Sequence, residues 1–294
     1  MAAPLFVAGR GKVGKSLAAA LARAGHQVRL VPARGGAARL VRALAAEPGA
    51  LVFMAVPDHA VDTLSNELAA AGADVPASVA FVHLSGALGL EALSALSRRH
   101  PVGSFHPLRS FPKPQGPEAL AGILVALDAT KPALSRRLER LARDIGARPR
   151  IVADKDRVLY HVAAVLASNY GVALLRLAVS LLERIGWTER EAVAGLLPLM
   201  VGSLEQARAA GPAAALTGPI RRGDVSTVER HLVALEALGR GAASSRPELS
   251  DLYRMLGAFA LETATEAGLD PAAAERVRRA LTRKAAATRR RRRR

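Results

Sequence analysis

The 294-residue sequence contains no cysteine. Disulfides, thiolate metal sites and cysteine nucleophiles are therefore excluded, and the compartment stays open on that count. Aromatic residues make up only 3% of the chain while half of it is hydrophobic, which favours helices and a core of small aliphatic side chains. No long apolar run is free of polar interruption. The most apolar stretch, Val158 to Leu182, carries His161, Ser168, Asn169 and Arg176, groups that a membrane span tolerates poorly. A buried helix without a membrane partner is expected there. The opening "MAAPLFVAGRG" runs straight into a strand and a glycine turn, so no cleaved leader is expected and the protein reads as cytoplasmic. No metal site is expected.

Acidic residues are in deficit: 25 Asp and Glu face 42 Lys and Arg, a net charge of +17. Much of the excess lies in the terminal "RVRRALTRKAAATRRRRRR". A terminal arginine block is usually a solvated extension, and it neutralises phosphates without reading bases. No aromatic residue is interleaved with it to stack a base. No specific nucleic-acid partner is expected, and residues 288–294 read as a disordered tail.

What is present is a phosphate-binding turn. In "PLFVAGRGKVGKSLAAALARAGHQVRL", Gly9, Gly11 and Gly14 spell the G-x-G-x-x-G of a dinucleotide fold, while Gly9, Gly14, Lys15 and Ser16 also satisfy the G-x-x-x-x-G-K-S of a triphosphatase. Both need a strand, a turn and a helix. A triphosphatase also needs a carboxylate at the end of another apolar strand to hold magnesium. The candidate, Asp58 in "ALVFMAVPDHA", lies past the strand end. The second strand, "GHQVRLVPAR", follows promptly and ends at Arg34 rather than at an acid. Arginine attracts a ribose 2′-phosphate where an acid would repel it. The expected cofactor is NADP, with NAD possible. It would be held by Gly9, Arg10, Gly11, Lys12, Val13, Gly14 and Arg34, with Val56 and Pro57 after the third strand. A solvated Arg34 is the plain alternative.

Strand-like runs at Leu5–Ala8, Val28–Val31, Leu51–Val56, Val79–Leu84, Val102–Phe105 and Ile123–Leu127 alternate with helical patterns, and "RPRIVA" closes the region. This is the rhythm of an α/β fold with a Rossmann-type doubly wound parallel sheet. Helical patterns follow at 156–185, 189–210, 227–238, 247–267 and 271–287, an all-helical C-terminal domain. Ser226 with Glu229 and Ser245 with Glu248 have capping-box spacing, and Asp270-Pro271 marks a helix start. The expected domains are 1–153 and 154–287.

Polar residues at strand ends face the ligand crevice of such a sheet. "FVHLSGALG" places Ser85 there and "VGSFHPLRSF" places His106; a helix cap and a loop histidine are the plain alternatives. In "KDRVLYHVAAVLASNYGVALLRL", His161, Ser168, Asn169 and Arg176 fall on one helical face. That stripe is either hydrogen-bonded within the core or turned to a wet cleft. In "ALTGPIRRGDVSTVERHL", Thr217, Arg222, Asp224 and His231 could meet a substrate, or Asp224 and Arg222 could simply lock the loop and cap the helix.

The motifs "AGRGKVG", "AVPD", "HLSG", "GSFHPLRSF", "YHVAAVLASN" and "LTGPIRRGDVSTVERHL" together resemble a bacterial family. It joins a Rossmann-like NAD(P)-binding domain to a helical C-terminal domain of unknown function. The resemblance spans nearly the whole chain except the arginine tail. In layout that family is similar to pyrroline-5-carboxylate reductases, ketopantoate reductases and the phosphogluconate-dehydrogenase-like group. The resemblance implies a dehydrogenase, a homodimer through the helical domain and an active site in the interdomain cleft. It also implies acid and binding roles on the first long C-terminal helix. There several relatives use a lysine and an asparagine; here His161 and Asn169 occupy the helix, and Lys155 precedes it. The expected chemistry is NADP-dependent reduction of a small carbonyl or imine. His161 is the first choice of acid and His106 the second. Asn169, Ser85 and Ser168 would orient the substrate, and Arg222 could hold a carboxylate. A non-catalytic NADP sensor is the alternative, because fold alone does not fix function.

Overall fold

The computed structural model describes residues 3–33, 35, 37–239 and 249–283. Contacts divide the chain into two compact units, Met1–Ala173 and Leu174–Arg294.

The first unit is built on seven strands: β1 (Leu5–Ala8), β2 (Val28–Val31), β3 (Leu51–Met54), β4 (Ala80–His83), β5 (Val102–Pro107), β6 (Leu124–Ala129) and β7 (Arg148–Ile151). Their order in the sheet is β2-β1-β3-β4-β5-β6-β7. The central runs LFVA, LVFM and AFVH are buried at every residue, as parallel strands covered on both faces must be. On one face, Leu17 and Leu21 of α1 (Lys12–Arg23) and Leu138 and Leu141 of α5 (Pro132–Asp144) pack on Val7, Phe53 and Phe105. On the other, α2 (Ala37–Leu44), α3 (Val61–Ala71) and α4 (Ser94–Ser97) bring Leu44, Leu68 and Leu96 onto Phe6, Val52 and Phe81.

The sheet departs from the expected all-parallel form at β6. It pairs antiparallel with β5, from Gly103↔Ala129 to Pro107↔Val125, and then parallel with β7. Between β5 and β6 the chain forms only a short 3₁₀ turn, Pro117–Leu120. A parallel pair would need a crossover, usually a full helix, to carry the chain back.

The expected helix 156–185 is two: α6 (Arg157–Ala167) and α7 (Asn169–Glu183), interrupted at Ser168, whose φ and ψ are −105° and −70°. Strands end near residue 154 as expected, but the first compact unit runs on through α6 to Ala173. Nor is this apolar stretch buried. Within Asp154–Glu183 an 18-residue window has mean hydropathy 1.7, enough by length and composition to cross a membrane, yet only 6% of it is buried. Val158, Leu159 and Val172 are exposed. The apolar residues are present, but no described residue of the same chain covers them.

The second unit holds α8 (Glu189–Ala210), α9 (Pro212–Ala215), α10 (Val225–Gly239), α11 (Leu249–Glu266) and α12 (Pro271–Thr282). Its core is formed by Val228, Leu232, Leu261, Val277 and Leu281. Arg254 pairs with Glu236 at 2.7 Å and donates to the carbonyls of Ala280 and Leu281 at the end of α12. Asp270 caps α12 as expected, accepting from the Ala273 amide. At α10 the cap is Asp224 rather than Ser226: the Asp224 carboxylate accepts from the Thr227 amide and from both the Ser226 and Thr227 hydroxyls. The Ser245–Glu248 pair lies outside the described residues.

Candidate active site

The glycine turn joins β1 to α1 at the centre of the sheet. Gly9 has φ +131°, and a Cβ there would collide with the Ala55 carbonyl; one at Gly14 would collide with the Gly9 carbonyl. These two glycines are demanded by the packing of β1, α1 and β3. Gly11 is different. Its φ is −71°, and a Cβ would meet nothing within 4 Å. The chain itself does not require glycine at this position, whereas a ligand approaching the backbone at the helix N-terminus would.

A cavity of about 850 Å³ opens there, lined by Gly9, Arg10, Gly11, Ala33, Gly35, Val56 and Pro57 together with His59, Thr63 and Glu67. Five of the expected cofactor residues thus share one wall. Lys12 and Val13 form the first turn of α1 beside it. Arg34 lies outside the described residues. Open backbone at Gly11, an exposed arginine at the turn and an adjoining cavity of about 850 Å³ fit a dinucleotide. They do not fit a triphosphate with magnesium. Ser16, which would have to ligate the metal, is fully buried; its hydroxyl donates to the Lys12 carbonyl and accepts from the Gln115 amide at 2.8 Å. Asp58 opens a 3₁₀ turn rather than ending a strand. Among the described residues, no group of three or more His, Asp or Glu side chains could hold a metal ion.

The second cavity, about 520 Å³, is lined by His106, Leu108, Arg109, Ser110, Tyr160, His161, Ser168 and Asn169, with alanines of α6 between them. It lies wholly in the first unit. His106 stands at the carboxyl end of β5, where its Nδ1 shares a 2.7 Å hydrogen bond with the Tyr160 hydroxyl and the two rings meet edge to face. A Cβ at Gly86 would come within 2.7–3.0 Å of the His106 ring, so glycine there leaves the imidazole its seat. Burial, then the charges of Arg157 and His161, lower the His106 pKa to about 4. Burial raises that of Tyr160 to about 12. Both are neutral near pH 7.

Beneath His106 lies a cation absent from the sequence reading. Arg157, the first residue of α6, is 1% exposed. It donates to the Ser104 hydroxyl and, at 3.4 Å, to the Ser85 carbonyl, while its Nε finds no partner. Beside it His83 is fully buried with neither ring nitrogen bonded, its pKa lowered to about 4 by burial and by Arg157. Arg157, Tyr160 and His161 are spaced i, i+3 and i+4, hence on one face of α6. That spacing was legible, but only the histidine and the residues beyond it stood out as chemistry.

Ser85 is 6% exposed and its hydroxyl accepts from the amides of Ala87 and Leu88; it frames the loop between β4 and α4. Of the polar stripe, His161, Ser168 and Asn169 meet at the cavity, whereas Arg176 pairs with Glu183 at 2.9 Å. Thr217, Arg222, Asp224 and His231 belong to the second unit. Asp224 is committed to capping α10, its carboxyl held below the ordinary range by the Thr227 hydrogen bonds. His231 bonds the Tyr253 hydroxyl at 2.9 Å, and Thr217 and Arg222 are exposed.

Comparison with known proteins places this geometry in a class. Residues 5–107 match the Rossmann-like domain family, and residues 123–260 match a domain of unknown function, DUF2520. The chain joins a Rossmann-like domain to a DUF2520 domain. Among solved structures it is similar to protein TM1727 of Thermotoga maritima, with 24% identity and a TM-score of 0.66 over 89% of this chain and 98% of that one. Protein BF3122 of Bacteroides fragilis, which carries an NADP oxidoreductase name, gives 22% identity and a TM-score of 0.63 over 88% and 98%. The pyrroline carboxylate reductase of Plasmodium falciparum, solved with NADP bound, gives 13% and 0.52 over 95% and 98%. No curated protein matches the sequence.

Proposed function

We propose that the protein is an NADP-dependent oxidoreductase that reduces a small carbonyl or imine. The observation that carries this reading is a pair of features of the first unit: a glycine turn with open backbone at Gly11, and a cavity bearing two histidines and a tyrosine at the carboxyl edge of the same sheet. The names of the similar solved structures, an NADP oxidoreductase and a pyrroline carboxylate reductase, support it.

The bound nicotinamide would supply the hydride; the chain's residues would bind, orient and move the proton. Gly9, Gly11 and Gly14 would admit the pyrophosphate to the N-terminus of α1. Arg10, on the wall that also carries Ala33 and Gly35 at the end of β2, would face a ribose 2′-phosphate. Were Tyr160 to donate to Nδ1 across their 2.7 Å hydrogen bond, His106 would carry its proton on Nε2 and would donate it in a hydrogen bond to the substrate oxygen or nitrogen. A group whose pKa is about 4 is not the proton reservoir at neutral pH. His161, on the same wall, would deliver the proton as the hydride reaches carbon, and Asn169 and Ser168 would orient the substrate. A homodimer through the exposed apolar faces of α6, α7 and α8, in the cytoplasm, belongs to the same proposal. Leu159, Leu166, Leu199 and Leu204 are each more than half exposed.

Two measurements test it. Fluorescence titration should show NADPH binding to the wild type and loss of at least about tenfold in affinity for Gly11→Ala, with the fold unchanged. Arg10→Gln should lower the NADPH-over-NADH preference. In single turnover, His161→Ala should slow hydride transfer by about 100-fold or more. A full rate removes His161 from the acid role, and indifference to both nucleotides ends the oxidoreductase reading.

A further inference from the structure

The proposed reaction leaves open what else the substrate carries besides the group that is reduced. Of the residues that line the 520 Å³ cavity, one is permanently charged: Arg109, on the loop after β5. No carboxylate stands among them. Leu108, Ala163 and Ala164, which line the same cavity, are apolar.

Arg109 is also held. The side chain is exposed, but its Nε donates to Gln115 Oε1 at 2.9 Å, which orients the guanidinium and leaves its two Nη groups with no other hydrogen bond among the described residues. Gln115 is braced in turn: its side-chain amide donates to the Ser110 carbonyl at 3.2 Å, and its backbone amide donates to the fully buried hydroxyl of Ser16 in α1. An arginine that only solvates a loop needs no such chain of supports. A guanidinium whose Nε is occupied presents a fork of parallel N–H groups, the geometry that matches a carboxylate with two bonds.

We propose that Arg109 is a carboxylate clamp, and that the substrate is a small organic acid whose carboxylate sits on the Arg109 fork while its reacting carbonyl or imine meets His106 and His161. This rests on the oxidoreductase reading for the reacting group but not for the anion. One guanidinium balances one negative charge, which favours a carboxylate over a phosphate dianion. Gln115 and Ser16 are positioning residues. They keep the fork aimed, and through Ser16 they tie it to the helix that opens at the glycine turn.

The test uses the full-length protein, with and without NADPH, and three 2-oxo acids of increasing size: pyruvate, 3-methyl-2-oxobutanoate and phenylpyruvate. Each is paired with its methyl ester, and binding is read by calorimetry and by ligand-observed NMR. At least one acid should bind about tenfold or more tighter than its ester, and inorganic phosphate should compete poorly. Arg109→Gln should weaken that acid by about 10- to 100-fold and leave the ester and NADPH unchanged. Arg109→Lys should recover only part, since an ammonium has no fork. Gln115→Ala should raise KM for the acid several-fold with little change in kcat.

Wild-type protein that prefers no acid over its ester, including one that binds none, overturns the clamp. So does an Arg109→Gln variant that loses NADPH rather than the acid, or wild-type protein from which inorganic phosphate readily displaces the acid. Because binding is measured without turnover, the two readings fail separately. Acid binding lost in Arg109→Gln but with no oxidation of NADPH keeps the clamp and removes the reductase. Oxidation of NADPH with acid and ester alike, untouched by Arg109→Gln, does the reverse.

Discussion

The two halves of this chain solve the burial problem differently. In the first unit every residue of β1, β3 and β4 is buried, and two layers of helices close over them. In the second, the 22-residue α8 buries a single residue, Ala192, and shows Leu199 and Leu204 to the outside. A sheet folded between helices is complete in one chain. A helix that is apolar on a face that no described residue of its chain covers holds that surface in reserve for something else. The site chemistry follows the same division: the paired histidine and tyrosine, the buried arginine and the glycine turn all lie in the unit whose central strands are fully covered.

The largest effect expected from breaking this contrast is at glycine. Gly14→Ala drives a methyl group into the Gly9 carbonyl and should cost roughly 3 kcal/mol or more, if the protein folds at all. Gly202→Ala in α8 meets nothing within 4 Å and should stabilise slightly, by up to about 1 kcal/mol. Chemical denaturation of both variants measures the difference. Equal costs would erase the distinction between a packed and an open half.

The acid response should be next in size and confined to the first unit. His83 and His106 have folded-state pKa values near 4 against 6.5 when unfolded. Between those values the unfolded chain binds more protons, so stability is full above pH 6.5 and is lost as the pH falls through 4. Each histidine would contribute on the order of 3 kcal/mol across that window. Melting curves should therefore shift down from pH 7 to 4, and His83→Leu, which removes an unpartnered buried imidazole, should flatten the response. A Tm independent of pH in that range would contradict the burial of both groups.

A third comparison separates core from reserve surface. Phe53→Ala should cost about 3–5 kcal/mol, whereas Leu199→Ala should change the stability of the isolated chain by under about 0.5 kcal/mol. In the dimer proposed above, the same Leu199→Ala should weaken association, seen by sedimentation; an unchanged distribution would move the interface elsewhere. Between these two costs falls Asp224→Ala, which removes a helix cap and should cost about 1 kcal/mol.

The sequence made the sheet legible because buried parallel strands are short, apolar and separated by amphipathic helices. All seven runs are strands. The reversal at β6 was not legible: strand direction depends on what the intervening segment can span, and the Leu108–Ile123 stretch looked like any connection. The break at Ser168 was hidden by unbroken apolar periodicity on either side. At the site, His106, His161, Ser168 and Asn169 could be found because histidines and amides on apolar backgrounds stand out. Arg157 and Tyr160 could not, since an arginine opening a helix and a tyrosine beside a histidine are ordinary in sequence and become chemistry only when the helix seats them under β5. The proposed roles of Arg109 and Gln115 were hidden for the same reason, their link being a hydrogen bond across six residues of loop.

The reversal of β6 has an evolutionary corollary. A segment joining parallel strands must travel the length of the fold, so its sequence is constrained by the journey. Here the chain turns back between Pro107 and Leu124: Leu108, Arg109 and Ser110 line the 520 Å³ cavity, whereas the fully buried Leu120 joins the core beside α1. The rim end of such a hairpin could change without the rest: Arg109 could be exchanged, and with it the acid proposed to bind there, while the scaffold underneath stays as it is.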